Sequence, residues 1–346
     1  MPDKPSRRVT QKEVAREAGV SHVTVSLALR GSRGIPASTR ERIESIAKRM
    51  GYSPDPMLKA LSAYRLTQKP RAFQASLGWL NTWPQTPENN PVEDFRQYFH
   101  SAKDRARDLG YGLDVFNLAE GGLQAHGLHR VLAARDIRGL LVGPLRSPFD
   151  HIDLDWASYS AVRLGYSMRD TVLHTVMNSQ YRTAFQAVEN MTRLGYRRIG
   201  YITQNSFEQR AGGHFLGGYL GAVHEFGIEE VPIMKMDSNV SGMEDVRFWL
   251  SAQKPDAVVA AAYMIPVFES WGYSVPGDLG VASLSVTEQS HRVSGMNQNP
   301  CGVGQAAVDF LVSLLERQEV GVPTTPMHVL IDGWWIPGKT LKKIGR

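Results

Sequence analysis

Residues 9–33 read VTQKEVAREAGVSHVTVSLALRGSR, and this stretch predicts two short helices joined by a tight turn. Thr10 is followed three residues later by Glu13, which is the spacing of a reciprocal N-terminal capping box. Gly19 ends the first helix, because glycine adopts a left-handed backbone without a Cβ clash. Ser21 is placed to cap the second helix. The pattern predicts a helix-turn-helix, whose second helix can enter the major groove of DNA.

The second predicted helix has an inward and an outward side. Val25, Ala28 and Leu29 lie on the side that faces the first helix. In a helix-turn-helix the N-terminal half of the second helix meets base edges, which makes His22 and Val23 the leading base-reading residues. The alternative is an ordinary helical hairpin with a polar outer face.

Residues 37–50, ASTRERIESIAKRM, predict a third amphipathic helix. Its apolar residues recur on one face at Ile43, Ile46, Ala47 and Met50. Three short helices can enclose a small core. After a Gly-Tyr-Ser-Pro turn, residues 55–63 contain helix-forming residues behind a capping Asp and a Pro, in a segment too short to be a stable helix alone.

Residues 9–61 resemble the N-terminal domain of the LacI/GalR family of bacterial transcription regulators. The resemblance is carried by VTQKEVAREAGVSHVTVSLAL, IPASTRERIESIAKRMGYSPDP and LKALSAYR, and it continues in weaker form along nearly the whole chain. It implies a DNA-binding domain at 8–54 and a hinge helix with linker at 55–73. In the family a hinge leucine wedges into the minor groove, and that residue here is Leu61. The alternative for Leu61 is helix packing.

Further DNA contacts follow from the same resemblance. Arg33 is expected at a phosphate or an adjacent base, and Lys59 at the backbone near the hinge. Leu27 stands where many family members carry a polar or basic base-reading residue, and it favours an apolar contact such as a thymine methyl. The expected DNA-binding residues are Thr10, Ser21, His22, Val23, Thr24, Ser26, Leu27, Arg30, Arg33, Tyr52, Lys59 and Leu61.

Charge is concentrated at the same end of the chain. Residues 1–71 carry 15 Lys and Arg against 6 Asp and Glu, whereas the formal net charge of all 346 residues is only +5. A basic segment with apolar helical periodicity is typical of a polyanion-binding domain, since phosphate contacts supply much of the affinity for DNA. A solvated basic tail lacks such periodicity.

The rest of the chain alternates strand and helix patterns in two series, which predicts two parallel, doubly wound α/β sheets. The family resemblance implies a two-lobed, periplasmic-binding-protein-like body with three crossovers. We expect these near 165–171, 295–299 and 323–326. The N-terminal lobe would then comprise 74–165 plus 296–325, and the C-terminal lobe 166–295 plus 326–342.

The effector site is where the sequence departs from the family. The usual arginine before the Gly-aromatic pair of the second lobe is replaced by Phe215, with Arg210 upstream as a possible substitute. The usual Gly-x-Asp-Asp is Ser285-Val286-Thr287-Glu288, so Thr287 and Glu288 occupy the acidic positions. This puts the family's sugar-binding constellation in doubt. The expected effector contacts are Asn81, Trp83, Arg210, Phe215, Thr287 and Glu288; packing under a Pro-rich loop is the alternative for Trp83.

Other classes of function are disfavoured. The chain shows no long apolar run and no basic-apolar leader, so we expect a cytoplasmic, nucleoid-associated protein rather than a membrane or secreted one. Cys301 is the one cysteine, which excludes an intramolecular disulfide, and no His/Cys cluster suggests a metal site. Catalytic and phosphate-loop motifs are missing, so neither enzyme activity nor a cofactor is expected.

These observations predict a homodimeric transcription regulator, most simply a repressor, that binds a pseudo-palindromic double-stranded DNA operator. A small effector, such as a sugar or a related metabolite, would bind between the lobes. Two alternatives stay open: a two-lobed solute-binding protein without DNA function, and a regulator that no longer uses an effector. The tail after Trp335 is too short for a coiled-coil tetramerisation helix.

Overall fold

The computed structural model describes residues 9–29, 35–52, 75–119, 125–147, 151–237, 242–288 and 292–345. The chain divides into two compact units, residues 1–71 and residues 72–346. They are named the head and the body here, and each is described by itself.

The head contains three helices: α1 (Gln11–Ala18), α2 (His22–Leu29) and α3 (Ala37–Arg49). Each helix contributes small or β-branched apolar residues to one core, as their spacing predicts. The buried core residues are Val14, Ala15, Ala18, Val25, Ala28, Ile43 and Ala47. Helices of about eight residues are marginal in water, so α1 and α2 depend on this shared core and on their caps.

The first lobe of the body is a six-stranded, all-parallel sheet in the order β11-β5-β4-β3-β1-β2. Its strands are β1 (Ala75–Asn81), β2 (Tyr111–Asn117), β3 (Gly139–Val142), β4 (Ser160–Leu164), β5 (His174–Asn178) and β11 (His328–Ile331). Its helices are α4 (Glu93–Asp108), α5 (Ala125–Ala134) and α11 (Pro300–Arg317). The buried strands are rich in Val and Leu, as expected for a sheet covered on both faces.

The second lobe is a six-stranded sheet in the order β12-β10-β9-β8-β6-β7, parallel except for β12, which runs antiparallel to β10. Its strands are β6 (Ile199–Gln204), β7 (Met234–Met236), β8 (Ala257–Val259), β9 (Gly280–Ser283), β10 (Ser294–Asn297) and β12 (Trp334–Ile336). Its helices are α6 (Gln180–Arg193), α7 (Asn205–Arg210), α8 (His214–Glu225), α9 (Met243–Gln253) and α10 (Ile265–Ser270). Short 3₁₀ turns occur at Pro87–Asn89, Trp156–Ser158 and Ala262–Met264.

The fold class agrees with the prediction, but two lobe boundaries need correction. The expected first crossover at 165–171 lies inside the first lobe, because β5 pairs with β4; the chain crosses only after Asn178. The expected third crossover at 323–326 is also too early, since β11 still pairs with β5 and β12 begins the second lobe. The second crossover, after β10, falls within the expected 295–299 segment.

The crossing segments contact one another at the lobe junction. The Asn299 Nδ2 donates to the Asp332 carbonyl at 3.2 Å, and the Ser179 amide donates to the Ile331 carbonyl at 2.8 Å. Gly333 is required by close approach, because a Cβ there would lie 2.0 Å from the Asn297 carbonyl oxygen. The two lobes are therefore joined through one small, tightly packed region.

Candidate functional site

The N-terminal cap of α1 forms as the sequence predicts. The Thr10 amide and hydroxyl both donate to the Glu13 carboxylate, at 2.7 and 2.9 Å, and the Glu13 amide donates back to the Thr10 hydroxyl at 3.4 Å. Gly19 ends the helix with φ 65°, in the left-handed region. Val20 then packs against the head core. These contacts fix the angle at which the chain enters α2.

The N-terminal end of α2 is held by Ser21. Its hydroxyl oxygen accepts from the Thr24 amide at 3.0 Å and lies 2.8 Å from the Thr24 hydroxyl. Such a cap satisfies an amide that has no partner within the helix. The oxygens of Thr10 and Ser21 are therefore engaged in capping.

The outer face of α2 carries exposed apolar side chains. Val23 is 63% exposed and Leu27 is 39% exposed, and their spacing of four residues puts them on one side of the helix. His22 is exposed beside them, whereas Thr24 and Ser26 are half-buried. An apolar stripe flanked by an imidazole suits contact with thymine methyl groups and base edges in a major groove.

The other expected DNA-binding residues have mixed placements. Tyr52 is half-buried against the head core, with its amide donating to the Ala47 carbonyl at 2.9 Å, so much of its ring is engaged in packing. Four of the expected contacts lie outside the described residues: Arg30, Arg33, Lys59 and Leu61.

Exposed cations on α1 are possible phosphate contacts that the sequence reasoning did not single out. Lys12 and Arg16 lie on the exposed side of α1, one turn apart. In a helix-turn-helix the first helix crosses the DNA backbone, where cations bind phosphate. Their helical spacing relative to the buried Val14, Ala15 and Ala18 is the signal that identifies them.

In the body, Asn81 and Trp83 are engaged within the first lobe. The buried Asn81 amide donates to the carbonyls of Trp83 and Gln85, both at 2.9 Å. The Trp83 indole donates to the Pro144 carbonyl at 2.8 Å, and its ring meets Phe95 edge-on. Both side chains hold the loop after β1, which matches the packing alternative for Trp83.

Phe215 does not lie where a ligand can reach it. Its side chain is 2% exposed and stacks on Phe207 with ring centroids 5.1 Å apart, inside the core of the second lobe. The expected ligand contact is corrected to a core residue, because burial of an apolar ring among other apolar side chains is favourable. Thr287 is half-buried and Glu288 is exposed near Cys301.

Arg210 spans the two lobes. Its guanidinium Nη1 donates to the Arg146 carbonyl at 3.3 Å, and burial lowers the pKa of this group. Further contacts across the cleft join the Arg169 guanidinium to the Gln209 carbonyl at 2.7 Å and stack Tyr166 on His214. Arg210 therefore makes a contact between the lobes, and its expected role in effector binding stays a prediction.

A cavity of about 190 Å³ opens at the carboxyl ends of β6, β8 and β9. Its ring-bearing lining residues are Tyr201, Phe207 and Tyr263. None of the six expected effector contacts lines it. The sequence reasoning missed these residues because they are distant in the chain, although Phe207 and Tyr263 follow strands, where α/β ligand sites occur.

A buried carboxylate lies behind this cavity. Glu208 accepts hydrogen bonds from the hydroxyls of Tyr201 and Thr203, and from the Leu216 amide at the start of α8. Burial and the Glu208 charge raise the pKa of Tyr201 well above its usual value, which keeps its hydroxyl protonated as a donor. The carboxylate is fully engaged by the second lobe.

A second carboxylate, from the first lobe, lies one hydrogen bond away from the cavity lining. Asp94, in the first turn of α4, is 8% exposed and accepts from the Ser285 hydroxyl at 2.7 Å. Burial raises the pKa of Asp94, while this hydrogen bond lowers it. Because Ser285 lines the cavity, Asp94 lies at its rim.

Within the described residues, no group of His, Cys, Asp and Glu could hold a metal ion. The same residues contain no helix both long and apolar enough to cross a membrane.

Two family models match the chain. Residues 10–55 match the bacterial regulatory proteins of the lacI family, and residues 188–340 match the periplasmic binding protein-like domain. Among curated proteins, the repressor PurR of Mannheimia succiniciproducens is 21% identical over 97% of this chain and 99% of its own length. Catabolite control protein A of Priestia megaterium is 23% identical over 90% of this chain and 94% of its own length.

Solved structures show the same fold. A lac repressor dimer bound to operator and the anti-inducer ONPF superimposes with a TM-score of 0.59 at 20% identity, covering 97% of this chain and all of that one. A complex of the regulator CelR with cellobiose has a TM-score of 0.58 at 19% identity, covering 96% of this chain and all of that one.

Proposed function

We propose that this chain is a DNA-binding transcription regulator of the LacI family, and that it is a homodimeric repressor of a pseudo-palindromic operator. A small molecule bound between the lobes would control it. The protein would act in the cytoplasm, at the nucleoid.

The observation that carries the proposal is the exposed outer face of α2. Val23 and Leu27 stand out from a helix whose other side is fixed in the head core by Val25 and Ala28. A three-helix unit gains nothing from exposing two large apolar side chains in water, but they become buried once the helix lies in a major groove. Two heads related by a two-fold axis would read two half-sites.

Residues 55–73 would complete the DNA contact as a hinge helix and linker. Leu61 from each protomer would wedge between base pairs at the dyad, with Lys59, Arg30 and Arg33 supplying backbone or base contacts. Wedging unstacks a base step and bends the duplex, and the wider contact offsets that cost. This part of the proposal rests on the sequence alone.

Self-association is supported by a surface hollow of mixed polar and aromatic character on the second lobe. Phe248 on α9 is 74% exposed and borders a surface hollow of about 390 Å³ that Trp271 and Tyr273 also line. Aromatic side chains and arginine are enriched at protein interfaces. The lac repressor neighbour is described as a dimer, which is the state we propose here.

The effector would shift the equilibrium between two lobe arrangements by binding one of them more tightly. The crossing segments at 178–180, 297–300 and 331–334 would serve as the pivot. A change in lobe angle would alter the separation of the hinge helices and so the fit to the operator. A regulator that responds to no small molecule is the second candidate, favoured by the missing arginine and acidic motif.

The decisive experiment selects genomic fragments with the full-length protein and measures binding by fluorescence anisotropy. Replacing His22 and Val23 together by Ala should weaken specific binding about 100-fold, since each lost base contact costs about 1–3 kcal/mol. Glu44→Ala, on an exposed position of α3, is the matched control and should leave specific affinity within about threefold.

Two outcomes would contradict the proposal. One is that the intact protein selects no fragment at moderate salt, which would favour the solute-binding alternative. The other is that the double variant binds as tightly as the parent chain. A homodimer must also bind a full palindrome more tightly than a half-site, and affinity must fall steeply with salt.

A further inference from the structure

The second-lobe cavity has a predominantly apolar, aromatic wall. Tyr201, Phe207 and Tyr263 contribute rings, and Met236 and Met264 contribute thioether chains. An apolar cavity of about 150 Å³ can hold benzene, so about 190 Å³ has room for one ring with a short substituent.

The polar atoms of the wall are largely engaged with protein groups. The Gln298 amide donates to the Leu284 carbonyl at 2.7 Å, and the Ser283 hydroxyl donates to the Ser285 carbonyl at 3.1 Å. The Gln204 amide donates to the Tyr263 hydroxyl at 2.8 Å. A sugar would bury several hydroxyls here and would have to break these hydrogen bonds to satisfy them. The wall therefore favours an apolar ring over a polyhydroxylated ligand.

Two acidic side chains lie beside the cavity, Asp94 at its rim and Glu208 behind it. In the part of the chain that the structure describes, no ion pair involves Asp94 or Glu208, and Ser285 is the hydrogen-bond partner of Asp94. Glu208 is satisfied by three donors, but Asp94 has a single hydroxyl. Buried carboxylates are normally paired with cations, so Asp94 has unused capacity for one.

Arg210 does not fill that role. Its Nη1 is directed to the Arg146 carbonyl, and it does not line the cavity. Aromatic rings attract cations as carboxylates do, and Tyr201, Phe207 and Tyr263 line the cavity. Aromatic rings and an underpaired carboxylate thus meet at one cavity.

We propose that the effector of this regulator is an organic cation, a protonated amine on an apolar ring, whose ring fills the second-lobe cavity and whose ammonium group pairs with Asp94. This inference rests on the proposed function, because it names the ligand class of the interlobe site. Since Asp94 comes from the first lobe and the cavity from the second, such a ligand would hold the lobes together.

Three probes with the same phenol ring test the proposal on the full-length protein by calorimetry: tyramine (cation), 4-ethylphenol (neutral) and 3-(4-hydroxyphenyl)propionate (anion). Tyramine should bind about tenfold or more tightly than 4-ethylphenol, and the anion should bind most weakly. Equal or tighter binding of the neutral or anionic probe, or binding of none of the three at millimolar concentration, would overturn the proposal.

Asp94→Asn removes the charge and keeps an acceptor for Ser285. It should lower tyramine affinity to that of 4-ethylphenol and leave the 4-ethylphenol affinity unchanged, which also shows that the cavity is intact. Glu93→Gln is the matched control, because that neighbouring carboxylate is half-buried and pairs with Arg96. A tyramine preference that survives Asp94→Asn would reject the ammonium site.

DNA binding in the absence of any probe separates this inference from the proposed function. If the protein binds its operator but ignores tyramine, the ligand class is wrong and the regulator remains. If it binds no DNA while tyramine binds through Asp94, the proposed function fails and the cation site stands.

Discussion

The two lobes of the body share one sheet architecture but present different surfaces to the cleft between them. At the edge of the first lobe, Asn81 and Trp83 are held by backbone carbonyls of their own lobe. At the edge of the second lobe, the strands leave a cavity walled by aromatic rings. The first lobe therefore presents polar groups that are already hydrogen-bonded, whereas the second lobe contains the cavity.

This difference separates two properties that a two-lobed binding protein needs. The volume of a cavity in one lobe would determine which ligand shapes fit. A single acidic group in the other lobe would make ligand affinity depend on closure of the lobes. Asp94 is the group of the first lobe that reaches the cavity rim through Ser285. If the proposed ligand binds there, its affinity and the lobe angle would be coupled through one carboxylate.

The largest effect on stability is expected at a feature that both lobes share. Each lobe has a glycine where two helices pack closely. A Cβ on Gly304 would lie 2.2 Å from the Tyr98 carbonyl oxygen, and one on Gly218 would lie 2.1 Å from the Tyr181 carbonyl oxygen. Gly304→Ala and Gly218→Ala should each lower the free energy of unfolding by about 3 kcal/mol, because backbone must move. Urea denaturation measures the loss.

Gly217→Ala, in the same helix, is the control for Gly218→Ala. The nearest atom to its added Cβ is 3.9 Å away. This variant should be neutral or stabilising by up to about 1 kcal/mol. If only one of the variants Gly304→Ala and Gly218→Ala lowers the free energy of unfolding, the helix packing of the two lobes differs more than their sheets do.

An intermediate effect should appear in alkaline solution. The second-lobe core contains Tyr196, Tyr201 and Tyr219, and burial raises the pKa of each. A raised folded-state pKa means that stability is complete below about pH 10 and is lost as pH rises above it. We expect the melting temperature to fall above pH 10, with a shallower fall in Tyr219→Phe.

Tyr181→Phe serves as the comparison for that titration, because Tyr181 is exposed. Its pH profile should match that of the parent chain. An identical profile for Tyr219→Phe would show that alkaline unfolding begins outside the second-lobe core.

The smallest expected effect concerns the first-lobe edge. Asn81→Ala removes the two donated hydrogen bonds of the loop after β1 and should cost about 2 kcal/mol. Asn89→Ala, in the same loop but exposed, should cost less than about 0.5 kcal/mol. Thermal unfolding of both variants compares them; equal costs would mean that the edge is not rigidly held.

The head could be predicted closely because its signals are local. Thr10, Glu13 and Gly19 act within a few residues of one another, so their spacing alone determines the cap and the turn. The exposure of Val23 and Leu27 followed from the same helical periodicity. Capping and helical periodicity act between near neighbours in the chain, so they leave few alternative structures for the head.

The body was predicted only in outline. Strand-helix alternation revealed two sheets, but pairing partners are set by tertiary contacts. β5 follows β4 without an intervening helix, so strand-helix alternation does not reveal it. The short stretch 328–336 forms two strands, β11 and β12, in different sheets. Nothing within that short stretch distinguishes the two.

The ligand contacts were the least predictable. Family position pointed to Phe215, yet the ring is used in the core; Tyr201, Phe207 and Tyr263 meet only after β6 and β8 are paired. A cavity forms where side chains from distant parts of the chain do not fill the space between them, and no local sequence pattern predicts this.

The late position of α11 in the chain has a consequence for synthesis. Residues 300–317 pack into the core of the first lobe, and β11 completes its sheet edge. A nascent chain that has emerged only to residue 290 therefore exposes an apolar face on the first lobe, although every earlier strand of that lobe is already made. The first lobe must wait for the second to be translated, so a ribosome stalled in between would present an aggregation-prone intermediate to chaperones.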